Sequence, residues 1–199
     1  IPDWPAAPTV RAVMTTRNGG LSRPPYDSFN LAAHVGDDPS AVRSNRARLQ
    51  DDLKLPSEPV WLRQVHGVAV TDAGRAGAEP EADGAFATRP GVVCAVLTAD
   101  CLPVLLCDRA GTRVAVLHAG WRGLANGIIE AGVKALGGGD VLAWLGPAIG
   151  PAAFEIGAEV RAAFVAHDPQ AGTAFRPTAT GKFLADIYRL ARQRLTTLG

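Results

Sequence analysis

An α/β or α+β domain is the fold class the sequence predicts, and three observations predict it. Three apolar runs fall close together between residues 91 and 117, each of the length and character of a buried strand. Helical spacing of apolar residues appears on both sides of them, around residues 42–53 and 128–136. The composition is that of a globular chain, with 47% hydrophobic and 20% charged residues, and 199 residues can bury a sizeable core.

Ile1 to Pro8 is a proline-punctuated entry segment. Val10 to Thr16 alternates and is β-branched, which reads as a strand running into a turn at Arg17-Asn18-Gly19-Gly20. Asp38-Pro39 is a helix start, with Asp as N-cap and Pro at the first helical position. Val42, Leu49 and Leu53 then share one helix face, which ends before Pro56. Val60 to Val65 reads as a strand ending at His66-Gly67, and Gly91 to Thr98 as a buried strand ending at Ala99-Asp100-Cys101. Leu102 to Cys107 and Arg113 to Leu117 are two further strands, separated by a turn at Asp108 to Gly111. Ile128 to Leu136 is a helix stopped by Gly137-Gly138-Gly139, and Val141 to Leu145 a buried strand. Glu159 to Phe164 is helical, and Phe183, Leu184, Ile187, Leu190, Ala191 and Leu195 form the apolar stripe of a closing helix. With no internal repeat, low-complexity tract or linker, residues 1–199 read as one domain.

Charge narrows the function classes. The net charge is +1 and the arginines are scattered, so no basic stripe for nucleic acid appears. No window approaches the roughly 20 apolar residues of a membrane helix. Three cysteines argue against a disulfide scaffold and for a reducing compartment.

Three metal-competent side chains stand out by position: His66, Cys101 and His118. Each sits where a strand gives way to a glycine- or proline-bearing loop, the kind of place where binding residues collect on a rigid scaffold. Two imidazoles and a thiolate are a catalytic zinc set that keeps a fourth position for water, whose pKa zinc lowers towards ~7. The spacings, 35 and 17 residues, match no short zinc-finger signature, so a packing cysteine and satisfied loop histidines remain the competing reading. Cys94 and Cys107 lie in apolar runs and read as packing residues, His34 and His167 as surface residues. Asp100 beside Cys101 is either a proton carrier or simply solvated. Two glycine-bearing turns, Thr15 to Gly20 and Gly120 to Gly123, carry Arg17 and Arg122, which could hold a phosphate bidentately or stand exposed. Neither turn is a P-loop or a dinucleotide fingerprint. Nothing local assigns a role to Gln64 or Asn30.

Taken together, the segments Thr15-Thr16-Arg17-Asn18-Gly19-Gly20, Asn30-Leu31, His34-Val35-Gly36-Asp37-Asp38, Gln64-Val65-His66-Gly67 and Pro80-Glu81-Ala82-Asp83-Gly84 form an ordered set of motifs. They continue in Thr98-Ala99-Asp100-Cys101-Leu102-Pro103-Val104, His118-Ala119-Gly120-Trp121-Arg122-Gly123, Leu145-Gly146-Pro147-Ala148-Ile149-Gly150 and Phe154-Glu155-Ile156-Gly157. The set resembles the purine nucleoside phosphorylase family also described as laccase-domain or multicopper polyphenol oxidase proteins, over nearly the whole chain. The resemblance implies a layered α/β fold with mixed sheets flanked by helices, and a cytoplasmic enzyme acting on purine nucleosides and phosphate. It implies that His66, Cys101 and His118 are the zinc ligands and catalytic centre. Asp100 is then the candidate for proton transfer, and Arg17, Gln64, Arg122 and Asn30 are candidates for substrate contacts.

The resemblance further implies phosphorolysis of adenosine, inosine and methylthioadenosine, a transferase reaction, with hydrolytic adenosine deamination beside it. The usual zinc-deaminase pattern, H-x-E with P-C-x-x-C, is absent, so any deamination here needs a different general acid. Where relatives often have cysteine after Gly150-Pro151, this chain has Ala152, so that thiol cannot be essential. Relatives continue past the position of Gly199 into a segment ending in arginines near the pocket, so a further C-terminal segment is expected. A monomer is the expected state. Two alternatives remain. Copper-dependent phenol oxidation would use the same two histidines and cysteine, but a multicopper enzyme needs further histidines and only His34 and His167 remain. A metal-free hydrolase would use Cys101 as nucleophile and a histidine as base.

Overall fold

Apolar runs fix where the sheet lies, but only some of them become strands. The computed structural model describes residues 1–199. Its elements in chain order are α1 (Pro39–Leu53), β1 (Val70–Asp72), β2 (Gly84–Ala87), β3 (Leu102–Asp108), β4 (Val114–Ala119), α2 (Trp121–Asn126) and α3 (Ile128–Ala135). They continue with β5 (Val141–Leu145), β6 (Glu155–Ile156), α4 (Ala158–Val165), a 3-10 turn (Pro169–Ala174), β7 (Phe175–Pro177), β8 (Phe183–Ala185) and α5 (Ile187–Thr197). Five strands form a mixed sheet in the order β1-β2-β4-β3-β5, in which only β1 and β2 pair in parallel. Three short strands form a second, antiparallel sheet, β6-β8-β7. The chain is thus a mixed α+β structure, as the sequence implies.

The central hairpin β3–β4 carries the main core. Leu102, Val104 and Leu106 of β3 and Leu117 of β4 cluster with Ile128, Ile129 and Val133 of α3, Phe164 of α4, and Ile187, Leu190 and Ala191 of α5. The α5 stripe is held down at one end by Arg194, which donates to Glu130 Oε1 at 2.9 Å and to the Ala125 carbonyl at 2.6 Å. The other sheet face carries a smaller cluster of Leu62, Ala73, Ala82, Ala85 and Val116, with Val92, Cys94, Val96 and Leu105 packed on it.

That second face explains two of three strands that do not form. Gly91 to Thr98 is apolar on both sides because it is sandwiched. Val92, Cys94 and Val96 meet the sheet cluster, while Ala95 and Leu97 meet a third cluster of Leu31, Leu49 and Trp61. It pairs through a single bridge, Val60 to Cys94, and Val60 to Val65 is likewise extended but held by two isolated bridges, Val60 to Cys94 and Arg63 to Glu81. Burial on both sides, without a ladder, produces a strand-like sequence. Val10 to Thr16 is largely exposed and forms no strand either. Its region is organised from α1 instead. The fully buried Asn45 accepts from the Leu21 amide at 2.8 Å and donates to Ser22 Oγ and the carbonyls of Ser28 and Asn30.

Two boundaries also shift. Phe183 and Leu184 belong to β8, because the Asp186 carboxylate caps α5 by accepting from the Arg189 amide at 2.9 Å. A side chain that bonds the first-turn amides starts a helix and does not sit inside one. Gly120 to Gly123 is a helix start as well, since Gly120 is the N-cap of α2. The Asp38-Pro39 start of α1 stands, with the Asp38 carboxylate accepting from the Ser40 amide at 2.8 Å. Cys107 is fully buried in β3, and burial followed by the charge of Asp72 pushes the Cys94 thiol up to about 12, so neither is a reactive thiol.

Leu117 is wedged between two glycines. A Cβ on Gly84 of β2 would lie 2.7 Å from Leu117 Cδ2, and one on Gly132 of α3 would lie 2.6 Å from Cδ1 and 3.1 Å from Cγ. Gly132→Ala therefore sets a helix-propensity gain of about 1 kcal/mol against overpacking of about 1–3 kcal/mol, and overpacking wins because Leu117 is buried on both sides. A net loss of roughly 1 kcal/mol in urea unfolding is expected; a stabilised variant would show that Leu117 has room to move.

Candidate metal centre

Hairpin register makes the first juxtaposition. Leu102 pairs with Ala119 and Pro103 with His118, so Cys101, one residue before β3, falls beside Gly120, one residue after β4. The 17-residue spacing is thus a sequence separation and not a distance. A Cβ on Gly120 would sit 2.9 Å from Cys101 Sγ and 3.0 Å from His66 Cδ2. Only a residue without a side chain lets these groups close on one another here.

His66 arrives from a loop, and Asp83 brings it. The Asp83 side chain, 0% exposed at the mouth of β2, accepts four hydrogen bonds. Oδ1 takes the His66 amide and His118 Nδ1, both at 2.9 Å, and Oδ2 takes the amides of Val65 at 3.1 Å and Gly67 at 2.6 Å. These bonds hold His66 at φ 60, the left-handed region that a side-chain-bearing residue adopts at a cost of about 1–3 kcal/mol. Backbone bonds lock the same corner: the His118 amide donates to the Asp83 carbonyl at 2.7 Å.

The outcome is a cluster in which donor atoms of His66, Cys101 and His118 all lie within 4.8 Å of one another. Cys101 Sγ is 3.9 Å from His66 Nε2, and the two imidazoles meet edge to face with centroids 4.7 Å apart. Ligands of a tetrahedral zinc with bonds of about 2.0–2.3 Å stand about 3.3–3.6 Å apart, so the set closes on an ion with side-chain adjustments of less than ~1.5 Å. His118 is 4% exposed and His66 and Cys101 are more open, so the cluster has a buried floor and an accessible side.

Electrostatics agree with a cation site. Burial, then the charges of Asp100 and Asp83, pushes the Cys101 thiol up from its usual value. Burial lowers His118, with the Asp83 hydrogen bond opposing and the neighbouring His66 adding to it. Burial works against the Asp83 carboxylate, but His118 and the amides of Gly67, Val65 and His66 outweigh it and keep the group below its ordinary value. A cation held here would reverse the thiol's shift.

The remaining candidates are placed as follows. Asp100 is exposed beside Cys101, its carbonyl accepting from the Ile149 amide at 3.0 Å. Gln64 pins two loops together: it donates to the Leu97 carbonyl at 2.9 Å and accepts the Leu97 amide at 2.7 Å, fastening the His66 arm to the arm that leads to Cys101. Arg122 is exposed in the first turn of α2, its guanidinium 4.4 Å from the Trp121 ring centroid. Arg17 is bonded within its own loop, to the Asp27 carbonyl at 2.8 and 2.9 Å and to its carboxylate at 3.2 Å. Asn30 bonds Asp37 and both backbone groups of Ala32. His34 and His167 stand outside the cluster. Two members escaped the sequence reading, Asp83 and Gly120. Both lie inside quoted motifs, and an acidic residue opening the apolar run Gly84-Ala85-Phe86-Ala87 is a legible sign of a buried, fully bonded carboxylate.

Comparison with known proteins gives this arrangement its class. Residues 11–199 match the family described as multi-copper polyphenol oxidoreductase laccase, and the chain belongs to that family. Among individual relatives, Purine nucleoside phosphorylase PA4543 of Pseudomonas aeruginosa is 58% identical over 205 residues, covering all of this chain and 82% of the relative. Purine nucleoside phosphorylase YfiH of Escherichia coli is 55% identical over 202 residues, covering all of this chain and 83% of the relative. The crystal structure of Neisseria meningitidis protein NMB0706 superposes with a TM-score of 0.95 at 49% identity, over 99% of this chain and 82% of that one. YlmD from Geobacillus stearothermophilus superposes with a TM-score of 0.84 at 31% identity, over 93% and 75% of the two chains.

Gly120→Ala tests the close approach. The added methyl pushes Cys101 and His66 apart, so zinc affinity measured by chelator competition should fall at least about tenfold while circular dichroism stays that of the wild type. Unchanged zinc affinity would mean the cluster is looser than drawn.

Proposed function

We propose that the chain is a zinc-dependent purine nucleoside phosphorylase, cleaving adenosine, inosine or methylthioadenosine with phosphate, with adenosine deamination as a side activity in the cytoplasm. The observation that carries this reading is the His66, Cys101 and His118 cluster, in a chain whose close relatives are named purine nucleoside phosphorylases. His66, Cys101 and His118 would hold the ion. Zinc supplies a Lewis acid and an acidified water at neutral pH.

The donor set favours a divalent ion. A Cys101 thiolate among the ligands and the Asp83 carboxylate bonded to His118 from behind would bring two negative charges to the cluster, a total that a dication cancels and cuprous copper does not. The multicopper reading finds less support, because one cluster of His, Cys, Asp and Glu is near enough to share an ion and the other two histidines are not in it. No helix is long and apolar enough to cross a membrane, and all three cysteines are free, which suits the cytoplasm.

In phosphorolysis a phosphate oxygen bonds to the ribose anomeric carbon as the bond from that carbon to the purine nitrogen breaks. The bonding pair leaves with the base, which then takes a proton. Arg122, whose guanidinium donates to no competing carboxylate, is the better phosphate holder of the two arginines, since Asp27 occupies Arg17. Asp100, exposed beside Cys101, is the candidate to exchange the proton of the leaving base. A second reading rests on one observation. His118 Nδ1 bonded to Asp83, with Cys101 in front, repeats the order of a nucleophile, base and orienting acid. The raised thiol speaks against it, because a nucleophilic cysteine needs a lowered pKa.

Three experiments decide. Adenosine or inosine incubated with phosphate should yield free base and ribose 1-phosphate, and omitting phosphate should stop base release; release at an undiminished rate makes the enzyme a hydrolase, and inosine alone from adenosine makes it a deaminase. Protein from zinc-replete medium should carry about one zinc per chain, lost in Cys101→Ala, whereas activity that survives complete metal removal selects the cysteine hydrolase. Arg122→Ala should raise the phosphate KM by about tenfold or more and leave the nucleoside KM within about twofold, since it removes binding to one substrate only.

A further inference from the structure

We propose that Asp83 is the positioning residue of the metal centre, fixing through one buried carboxylate both the tautomer of His118 and the backbone conformation that delivers His66. The inference rests on the metal-centre reading above and adds a residue to it.

Donor and acceptor accounting carries the argument. An ionised carboxylate has about four acceptor sites and no donor. Asp83 has all four filled, two on each oxygen, and every partner is a donor: three consecutive backbone amides at 65, 66 and 67, and the His118 ring. Backbone amides can only donate, so the carboxylate is the accepting form. His118 Nδ1 must then bear the hydrogen, and in the neutral ring this selects the tautomer whose lone pair is on Nε2. With Nδ1 taken up by Asp83, Nε2 is the ring nitrogen left to serve the cluster shared with His66 and Cys101. Metal-binding histidines are oriented in just this way by an outer carboxylate.

The three amides do a second job. Consecutive N–H groups converge on one anion only when the backbone curls around it, and the curl here places His66 at φ 60. Gly67 follows, its amide making the shortest of the four bonds at 2.6 Å. Without the anion, three N–H groups would point into a site that is closed to water on the Asp83 side, and the loop would relax to ordinary φ values. That relaxation re-aims the His66 side chain. Two ligands from distant parts of the chain therefore depend on one residue that touches neither the ion nor the substrate.

Asp83→Asn keeps the volume and one acceptor oxygen but sets an NH2 group against the donors bonded to the other. Zinc affinity by chelator competition should fall about 10- to 100-fold. At saturating zinc the nucleoside KM should stay within about twofold of wild type. Glu81→Gln, an exposed carboxylate two residues away that pairs with Arg63 at 2.6 Å, should leave zinc affinity unchanged. Because Asp83→Asn could fail to fold, the wild-type protein supplies an independent measurement. Long-range proton–nitrogen NMR of the metal-free chain should show His118 protonated at Nδ1 and bare at Nε2. His118 protonated at Nε2, or wild-type zinc affinity in folded Asp83→Asn, overturns the proposal. Neither the zinc titration nor the NMR measurement involves nucleoside or phosphate, so failure of the phosphorylase reading would leave both results standing.

Discussion

One buried carboxylate organises the centre. Asp83 sits at the end of β2, and β2 pairs with β4, so its place relative to His118 is set by the sheet itself through Gly84 against Leu117 and the adjoining backbone bond from His118 to Asp83. A charge at 0% exposure is costly unless it is fully bonded, and here every acceptor position is taken. The arrangement is therefore close to all-or-none. Removing one partner leaves a bare charge or a bare amide, which is a reason for the loop at 65–67 to have a single conformation.

Around that anchor, the site is an assembly of three chain segments with different kinds of rigidity. Cys101 and His118 ride on the β3–β4 hairpin, whose ladder bonds hold them in register. Gly120 removes the side chain that would part them. His66 rides on no regular element at all. Its loop is tied by Asp83 on one side and by Gln64 to Leu97 on the other, so side-chain-to-backbone bonds do what a strand ladder does elsewhere. Tyr188 of α5 adds a further tie, its hydroxyl accepting the Ala148 amide at 2.7 Å and donating to the Gly146 carbonyl at 3.1 Å, in the loop whose Ile149 bonds Asp100. Loop positions held this firmly can carry ligands, because their conformational entropy is lost in folding and not in binding.

The extended segments over the second sheet face show why pattern and pairing part company. Gly91 to Thr98 has the sequence of a central strand because both its sides are covered, one by the sheet cluster and one by Trp61, Leu31 and α1. Hydrophobic character records burial, and burial does not require a hydrogen-bond ladder. The reverse error has the same root. β1, β2, β6, β7 and β8 have two to four residues each, too few to show a period, and their strand character comes from neighbours supplied by remote parts of the chain.

By itself the sequence determined the mixed α+β class, the central hairpin, the helices at 39–53, 128–135 and 158–165, and the identity of the three candidate ligands. Those features rest on local signals: long apolar runs, an Asp-Pro cap, glycine stops and the chemistry of histidine and cysteine. Tertiary structure alone decided that residues 35 and 17 positions apart share one small volume, that Asp83 stands behind them, and that Gly120 is bare for their sake. The physical reason is that a buried anion and a missing side chain act across space. Their partners are selected by sheet register and loop closure, and neither is written in the residues immediately beside them.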